Sequence, residues 1–435
     1  MPGGMIPAFA QLRSEPLAGS ADPLDVARAL AGGRRPAFLQ GAWLGGGAIL
    51  ATDPVAQISG SGADVLAALN RQPAVDQGDA PPGTIGGGYI GGLGYLALEA
   101  AVPGPPPAWF GFYDHLLRHD GTQWAFEMLW TPGRAQSLDR ALTRARRLVA
   151  SAPAGPGRRA VLRDIRWPDR TVHLRAVAAA QDLIARGGIY QANICAELTA
   201  RLDGEPFELW RQLVRSLRPS HAAYLPTSSG LSVGASPELF LRRHGDAVAT
   251  SPIKGTRARS LDPAIDAAAR AELSASIKDR AENVMIVDLM RNDLGRVSRT
   301  GSVEVADLLR ITAGAGVWHL VSRVQAHLLD GVSDADLLVA TFPPGSVTGA
   351  PKIAAMQAIG CLEQQPRRLY TGTVGILSPT QGLELAVVIR TFEVEINETV
   401  VRLGIGGGIT EGSDPAAEYE ECLVKAAPLL RAAAP

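Results

Sequence analysis

Lysine is scarce in this chain, and its few positions are selective. The 435 residues include 42 lysines and arginines, of which only Lys254, Lys278, Lys352 and Lys425 are lysine. The remaining 38 (42 − 4) are arginine, and no lysine precedes Lys254. A solvated surface cation can be either residue, whereas a nucleophile or a compact ammonium donor must be lysine. Lys254 stands in Ser251-Pro252-Ile253-Lys254-Gly255-Thr256, between an apolar residue and a glycine. Desolvation lowers the pKa of an enclosed lysine and yields a neutral amine able to attack carbon. The competing reading is an ordinary surface lysine. Asp279 and Glu282 lie three positions apart, as do Glu418 and Glu421, in segments that read as helix. That spacing puts each pair on one helical face. Two such faces brought together present up to four carboxylates, a donor set for a hard cation such as Mg²⁺. A solvated helix face has the same spacing, and the residue types leave both readings open.

Three further segments carry weaker signals. The run Gly404-Ile405-Gly406-Gly407-Gly408 reads as a loop that offers bare backbone to an anion, or as a tight turn. The loop from Phe342 to Lys352 (FPPGSVTGAPK) leads into a helix from Ile353 to Ile359. Such a loop suits an anion cradle or a plain capped helix. His319, between Trp318 and Leu320, reads alone as a core histidine. No GxxxxGK[ST] occurs and no GxGxxG opens a helix at a suitable distance from an acidic residue, so nucleotide binding has no support.

These groups need elements to hold them. Helix is predicted over Arg175–Arg186, in the arginine-rich segment 137–150 and after Asp414-Pro415; Leu231–Ala235 reads as strand. Leu273, Ile277, Ala281 and Val284 recur at helical spacing, which predicts one buried face of a single helix. Glu384–Ile396 (ELAVVIRTFEVEI) is rich in β-branched residues and reads as one strand. Breaks at Pro103–Pro107 and Ser151–Gly157 divide the chain softly into segments 1–160 and 161–435. A net charge of −1 excludes an electrostatic footprint for nucleic acid or an anionic membrane. Cys195, Cys361 and Cys422 form neither a disulfide framework nor a CxxC site, so a reducing cytoplasm is the expected setting. The first residues lack the basic start and continuous apolar core of a signal peptide. The uncharged stretch Ala80–Leu98 is broken by glycines and prolines and reads as close-packed strands and turns rather than a membrane span.

Four runs, in order, carry a family resemblance: PIKGTRAR, AENVMIVDLMRNDLGRV, FPPGSVTGAPKIAAMQAI and GGGITEGSDPAAEYEECLVKA. Together they resemble the chorismate-utilising enzymes, which include anthranilate, aminodeoxychorismate, isochorismate and salicylate synthases. The resemblance is strong from about Arg170 onward and weaker earlier, where GGGYIGGLGYLALEA is similar to the family's glycine-tyrosine segment. It implies an α+β fold of large antiparallel sheets with surrounding helices. It also implies Glu282 and Glu421 as Mg²⁺ ligands with Asp279 and Glu418 as outer partners, Glu238 as general acid, and His319 as an aid to the leaving hydroxyl. Ser346, Thr348, Tyr370, Arg390, Gly407, Gly408 and Lys425 match positions around the substrate. Gln191 stands where isochorismate-forming members carry a lysine base, and a glutamine cannot deprotonate water.

PIKGT, with Lys254, resembles the pattern of the aminodeoxychorismate synthases, in which the lysine is a covalent nucleophile; anthranilate synthases carry alanine there. The implied reaction is amination of chorismate at C4 to 4-amino-4-deoxychorismate, on the way to 4-aminobenzoate and folate. No cysteine sits in a nucleophile-elbow turn, so ammonia is expected from a separate glutamine amidotransferase subunit or from solution. The alternatives are C2 amination, as in anthranilate synthase component I, and a non-catalytic regulatory subunit.

Overall fold

The computed structural model describes residues 6–99, 108–152, 155, 157–314, 316–395 and 399–434. Two large sheets organise them. The first runs from Val161–Arg166 through Gln191–Asp203, Val400–Ile409, Thr391–Glu395, Gly230–Ser236 and His221–Pro226 to Ala37–Gly41. It continues through Gly47–Ala51, His115–His119, Trp124–Trp130 and Phe9–Leu17 to Ala74–Asp76. The second begins at Ile253–Ala258 and proceeds through Val317–His327, Ala247–Ser251, Leu239–His244, Gly382–Val387 and Thr373–Ser378. Gly88–Leu93, Ala108–Tyr113 and Ala56–Gly60 complete it, while Glu304–Gly314 pairs with Val317–His327. Strand pairing is antiparallel except between Phe9–Leu17 and Ala74–Asp76. The fold is therefore α+β, with large antiparallel sheets, as the resemblance implies.

Alternating side chains explain the layering, because each strand sends successive residues to opposite faces. Leu39 and Ile49 of the first sheet share a core with Ile90 and Ile376 of the second, around the fully buried Trp43. The outer face of the first sheet is covered by helices that include Pro206–Leu217 and Pro415–Ala432, through residues such as Trp210 and Leu429. The outer face of the second packs against Ile277–Gly295 and Asp334–Thr341, through Ile286, Met290 and Leu338. Among the described residues no helix is long and apolar enough to cross a membrane.

The structure corrects four sequence expectations. Strands from both sides of residue 160 share each sheet: Ala37–Gly41 pairs with His221–Pro226, and Gly88–Leu93 with Thr373–Ser378. The division into 1–160 and 161–435 is thus no boundary between separate cores; its Pro103–Pro107 break lies outside the described residues. The helical face expected from Leu273 to Val284 belongs to two helices. Ser276 ends Pro263–Ala275 in an extended conformation and caps Ile277–Gly295 with its side chain, leaving Ile277 85% exposed. The buried face of the second helix carries Glu282 and Asn283 among its apolar residues. The run Gly404–Gly408 lies inside a strand, not in a loop. Finally, the strand expected over Glu384–Ile396 is broken at Arg390, whose φ of 52° cannot continue a ladder.

Candidate active site

The two sheets and two helices meet around a cavity of about 820 Å³. The second sheet contributes Lys254 from Ile253–Ala258 and His319 from Val317–His327; these strands pair, with Thr256 opposite His319. The first sheet contributes Gly408 from Val400–Ile409, beside Gln191 at the start of its neighbour. Helix Ile277–Gly295 supplies Asp279 and Glu282, and helix Pro415–Ala432 supplies Glu418, Glu421 and Lys425. Residues far apart in the chain thus converge on one cavity.

Glu282 is the hub. Lys254 Nζ donates to its Oε1 at 2.7 Å, and Gln191 Nε2 donates to the same oxygen at 2.5 Å. Lys254 is 8% exposed, so it is enclosed as expected, but as half of an ion pair rather than alone in an apolar slot. Two more lysines repeat the pattern. Lys278 Nζ lies 2.6 Å from Glu418 Oε1, and Lys425 Nζ 2.8 Å from Glu421 Oε1 and 2.9 Å from the Gly406 carbonyl. Burial opposes the Lys425 charge, but Glu421 and its acidic neighbours raise its pKa overall. Lys425 in turn holds the Glu421 carboxyl below its usual range. Asp279 is drawn aside by Arg257, whose Nη2 donates at 3.0 Å.

This donor set fits a hard divalent cation. Glu418 receives Ser413 Oγ and Lys278 on one oxygen, while its Oε2 is buried without a hydrogen-bond partner. A Cβ placed on Gly408 would overlap Glu282 Oε1, and one on Gly407 would stand 3.2 Å from Glu418 Oε2. Bare backbone at both positions keeps the space beside the carboxylates clear. Among the described residues no three acidic or imidazole groups close into a cage. A cation here would therefore draw part of its shell from water and substrate oxygens, as Mg²⁺ does. Glu282, Glu421 and Glu418 are the residues that would contribute to such a shell, with Asp279 turned toward Arg257.

Another buried carboxyl lines the cavity near Lys254. Glu238 follows strand Gly230–Ser236 and is 3% exposed. Burial pushes its carboxyl up to about 7, against the lowering effect of a 2.6 Å hydrogen bond from Ser346 Oγ and the nearby Lys254 charge. His319 is pushed down to about 4, mainly by burial and further by Arg390, so its imidazole is neutral at pH 7. Its Nδ1 lies 3.1 Å from Thr256 Oγ1. Arg390 lines the cavity and makes no side-chain hydrogen bond or ion pair among the described residues, leaving its fork available to a carboxylate. Tyr370 lines the cavity beside Gly404.

The expectation for Thr348 is corrected: its fully buried hydroxyl turns back to the carbonyls of Gly345 and Pro344, at 3.0 and 3.3 Å. It shapes the loop that presents Ser346 and does not face the cavity. Lys352 has a similar part. Its Nζ bonds Asp293 at 2.6 Å and the carbonyls of Thr341 and Pro343 at 2.7 and 2.8 Å, pinning the start of that loop. Sequence reasoning did not assign Thr256, Ser413 or Lys278 to the site. Thr256 and Lys278 adjoin residues that it did single out, and the scarcity of lysine already marked Lys278.

The chain is 39% identical over 369 residues to an aminodeoxychorismate synthase of Streptomyces pristinaespiralis, covering 79% of this chain and 50% of that protein. It therefore spans half the length of that relative. It is 37% identical over 379 residues to anthranilate synthase component 1 of Streptomyces coelicolor, covering 80% and 72%. The crystal structure of anthranilate synthase component I from Streptococcus pneumoniae superposes with a TM-score of 0.75 at 28% identity, over 88% of this chain and 92% of that one. The family model for chorismate binding enzymes matches residues 36–431, an interval that contains every cavity residue described above. With its four motifs gathered on one cavity and this match spanning both sheets, the chain belongs to the chorismate-binding enzyme family.

Proposed function

We propose that the protein aminates chorismate at C4, giving 4-amino-4-deoxychorismate, with ammonia supplied by a glutamine amidotransferase subunit and with Mg²⁺ as cofactor. The observation that carries this reading is the placement of Lys254 on the same wall as the cation-type carboxylates, close enough to the buried acid Glu238 to influence its charge. Bound Mg²⁺ would neutralise the ring carboxylate of the substrate and make the conjugated ring more electrophilic.

The chain's own residues supply the rest. Arg390, with its guanidinium uncommitted, is placed to take a substrate carboxylate. The Lys254–Glu282 pair must open and Lys254 must lose a proton before it attacks. Its Nζ then forms a bond to C2 as both ring double bonds shift, C1=C2 to C1=C6 and C5=C6 to C4=C5, and the C4–O bond breaks. Glu238, tuned to about 7, gives its proton to the departing hydroxyl, which leaves as water. The neutral His319 provides a hydrogen-bonding partner at that oxygen. Ammonia attacks C4, both double bonds shift back, and the C2–N bond to Lys254 breaks, returning the lysine amine. Gln191 binds Glu282 and offers no base for water, so ammonia meets no competitor activated at that position.

C2 amination is the second reading. It is favoured by the ion pair itself, since a lysine held by Glu282 can act as a fixed cation and leave C2 open to ammonia. Product identity decides between them. Incubation with chorismate, Mg²⁺ and ammonium, followed by chromatography and mass spectrometry, should yield 4-amino-4-deoxychorismate and no anthranilate fluorescence. Anthranilate as the main product would reverse the assignment.

A further inference from the structure

A second cavity, of about 560 Å³, lies away from the catalytic one. It sits where helix Ala135–Ser151 crosses strands Gly47–Ala51, His115–His119 and Trp124–Trp130 of the first sheet. Its floor is apolar: Leu30, Leu50, Leu117 and Phe126 all line it and are buried. Its walls carry four arginines, Arg34, Arg134, Arg140 and Arg144. The single carboxylate among its lining residues is Asp53, 3.7 Å from Arg34. The chain as a whole has 42 basic and 43 acidic residues, so four cations against one anion is a local excess.

Two of these arginines have little else to do. Arg134 Nε is committed to Asp114 Oδ2 at 2.7 Å, and Arg34 Nη2 to the Pro54 carbonyl at 2.8 Å. Arg140 reaches only the neutral Ser137 hydroxyl, at 3.3 Å, and Arg144 has no hydrogen bond or ion pair among the described residues. They stand one helical turn apart, where like charges weaken a helix. Both line a space large enough for a ring-sized molecule.

We propose that this cavity is a binding site for a small amphiphilic carboxylate: a ring or short apolar body seated on Leu50, Leu117 and Phe126, with its carboxylate held by Arg140 and Arg144. An apolar floor recognises the body through removal of water. Guanidinium forks suit a carboxylate better than any neutral group. The site is independent of the catalytic cavity and of the reaction proposed for it.

The test uses 4-fluorobenzoate as probe, fluorine NMR as readout, and competing chorismate to clear probe from the catalytic cavity. The full chain should retain binding that chorismate does not displace. That binding should weaken about tenfold or more in R140Q/R144Q. Both positions are exposed, so the fold should persist, as circular dichroism would verify. Ala141→Trp, which fills the cavity from the helix side without changing charge, should abolish it. The neutral isostere 4-fluorobenzyl alcohol should bind far more weakly than the carboxylate. Absence of chorismate-resistant binding, equal binding of the alcohol, or unchanged binding in R140Q/R144Q would each overturn the proposal. None of these outcomes bears on the identity of the amination product.

Discussion

Glu238 shows how opposing effects hold one buried carboxyl near neutrality, as the proposed acid role requires. Burial favours its neutral form, and Ser346 favours the charged form by donating to it, so the two effects meet near 7. The sign of a test follows. Glu238 donates only while protonated, so the rate of hydroxyl loss should fall as pH rises through about 7. Removing the Ser346 hydroxyl takes away a bond that stabilises the carboxylate and must raise the pKa. In Ser346→Ala the alkaline limb of the single-turnover profile should therefore move up by about one pH unit. A limb that stays in place would show that Ser346 does not set the acid. The sequence reveals the residue types here but not their contact. Glu238 and Ser346 are 108 positions apart, and only the fold places one hydroxyl on one carboxylate oxygen. The lysines were more legible. In a chain that otherwise uses arginine, Lys254, Lys278 and Lys425 each face one of the carboxylates expected to hold a cation, at 2.6–2.8 Å. Lys352 instead secures the loop that carries Ser346.

At the scale of elements, the site depends on where regular structure is interrupted. Hydrophobic spacing suggested one helix through Leu273 and Val284, yet Ser276 breaks it. The break lets Ile277–Gly295 turn Glu282 inward while Ile277 faces solvent. Periodicity misleads here because a carboxylate, Glu282, occupies a buried position that an apolar pattern reserves for core. The strand Val400–Ile409 escapes the sequence pattern for the opposite reason. Its glycines looked like a loop, but they serve close approach, since any side chain on Gly408 would enter the space of Glu282 and Gln191. Gly408→Ala should thus leave the far-ultraviolet spectrum intact and lower chorismate turnover about a hundredfold, by displacing the carboxylate hub. Near-normal turnover would mean that the cradle tolerates a methyl group and that its bareness has another cause.

At the scale of the whole molecule, neither sheet holds a complete site. The second sheet carries Lys254 and His319, the first carries Gln191 and the glycine backbone, and Glu238 lies on the connection from one sheet to the other. The two outer helices add the carboxylates from opposite sides. Under the proposed mechanism a single side chain, Lys254, decides whether nitrogen enters at C2 or at C4 without a change of scaffold. Covalent participation of that lysine is the central claim, and intact-protein mass spectrometry after mixing with chorismate and Mg²⁺, without ammonia, tests it most directly. The predicted result is a mass increase equal to chorismate less one water, mapped to the peptide containing Lys254 and absent from Lys254→Ala. An unmodified wild-type protein that still makes the 4-amino product, or a fully active Lys254→Ala variant, would contradict it.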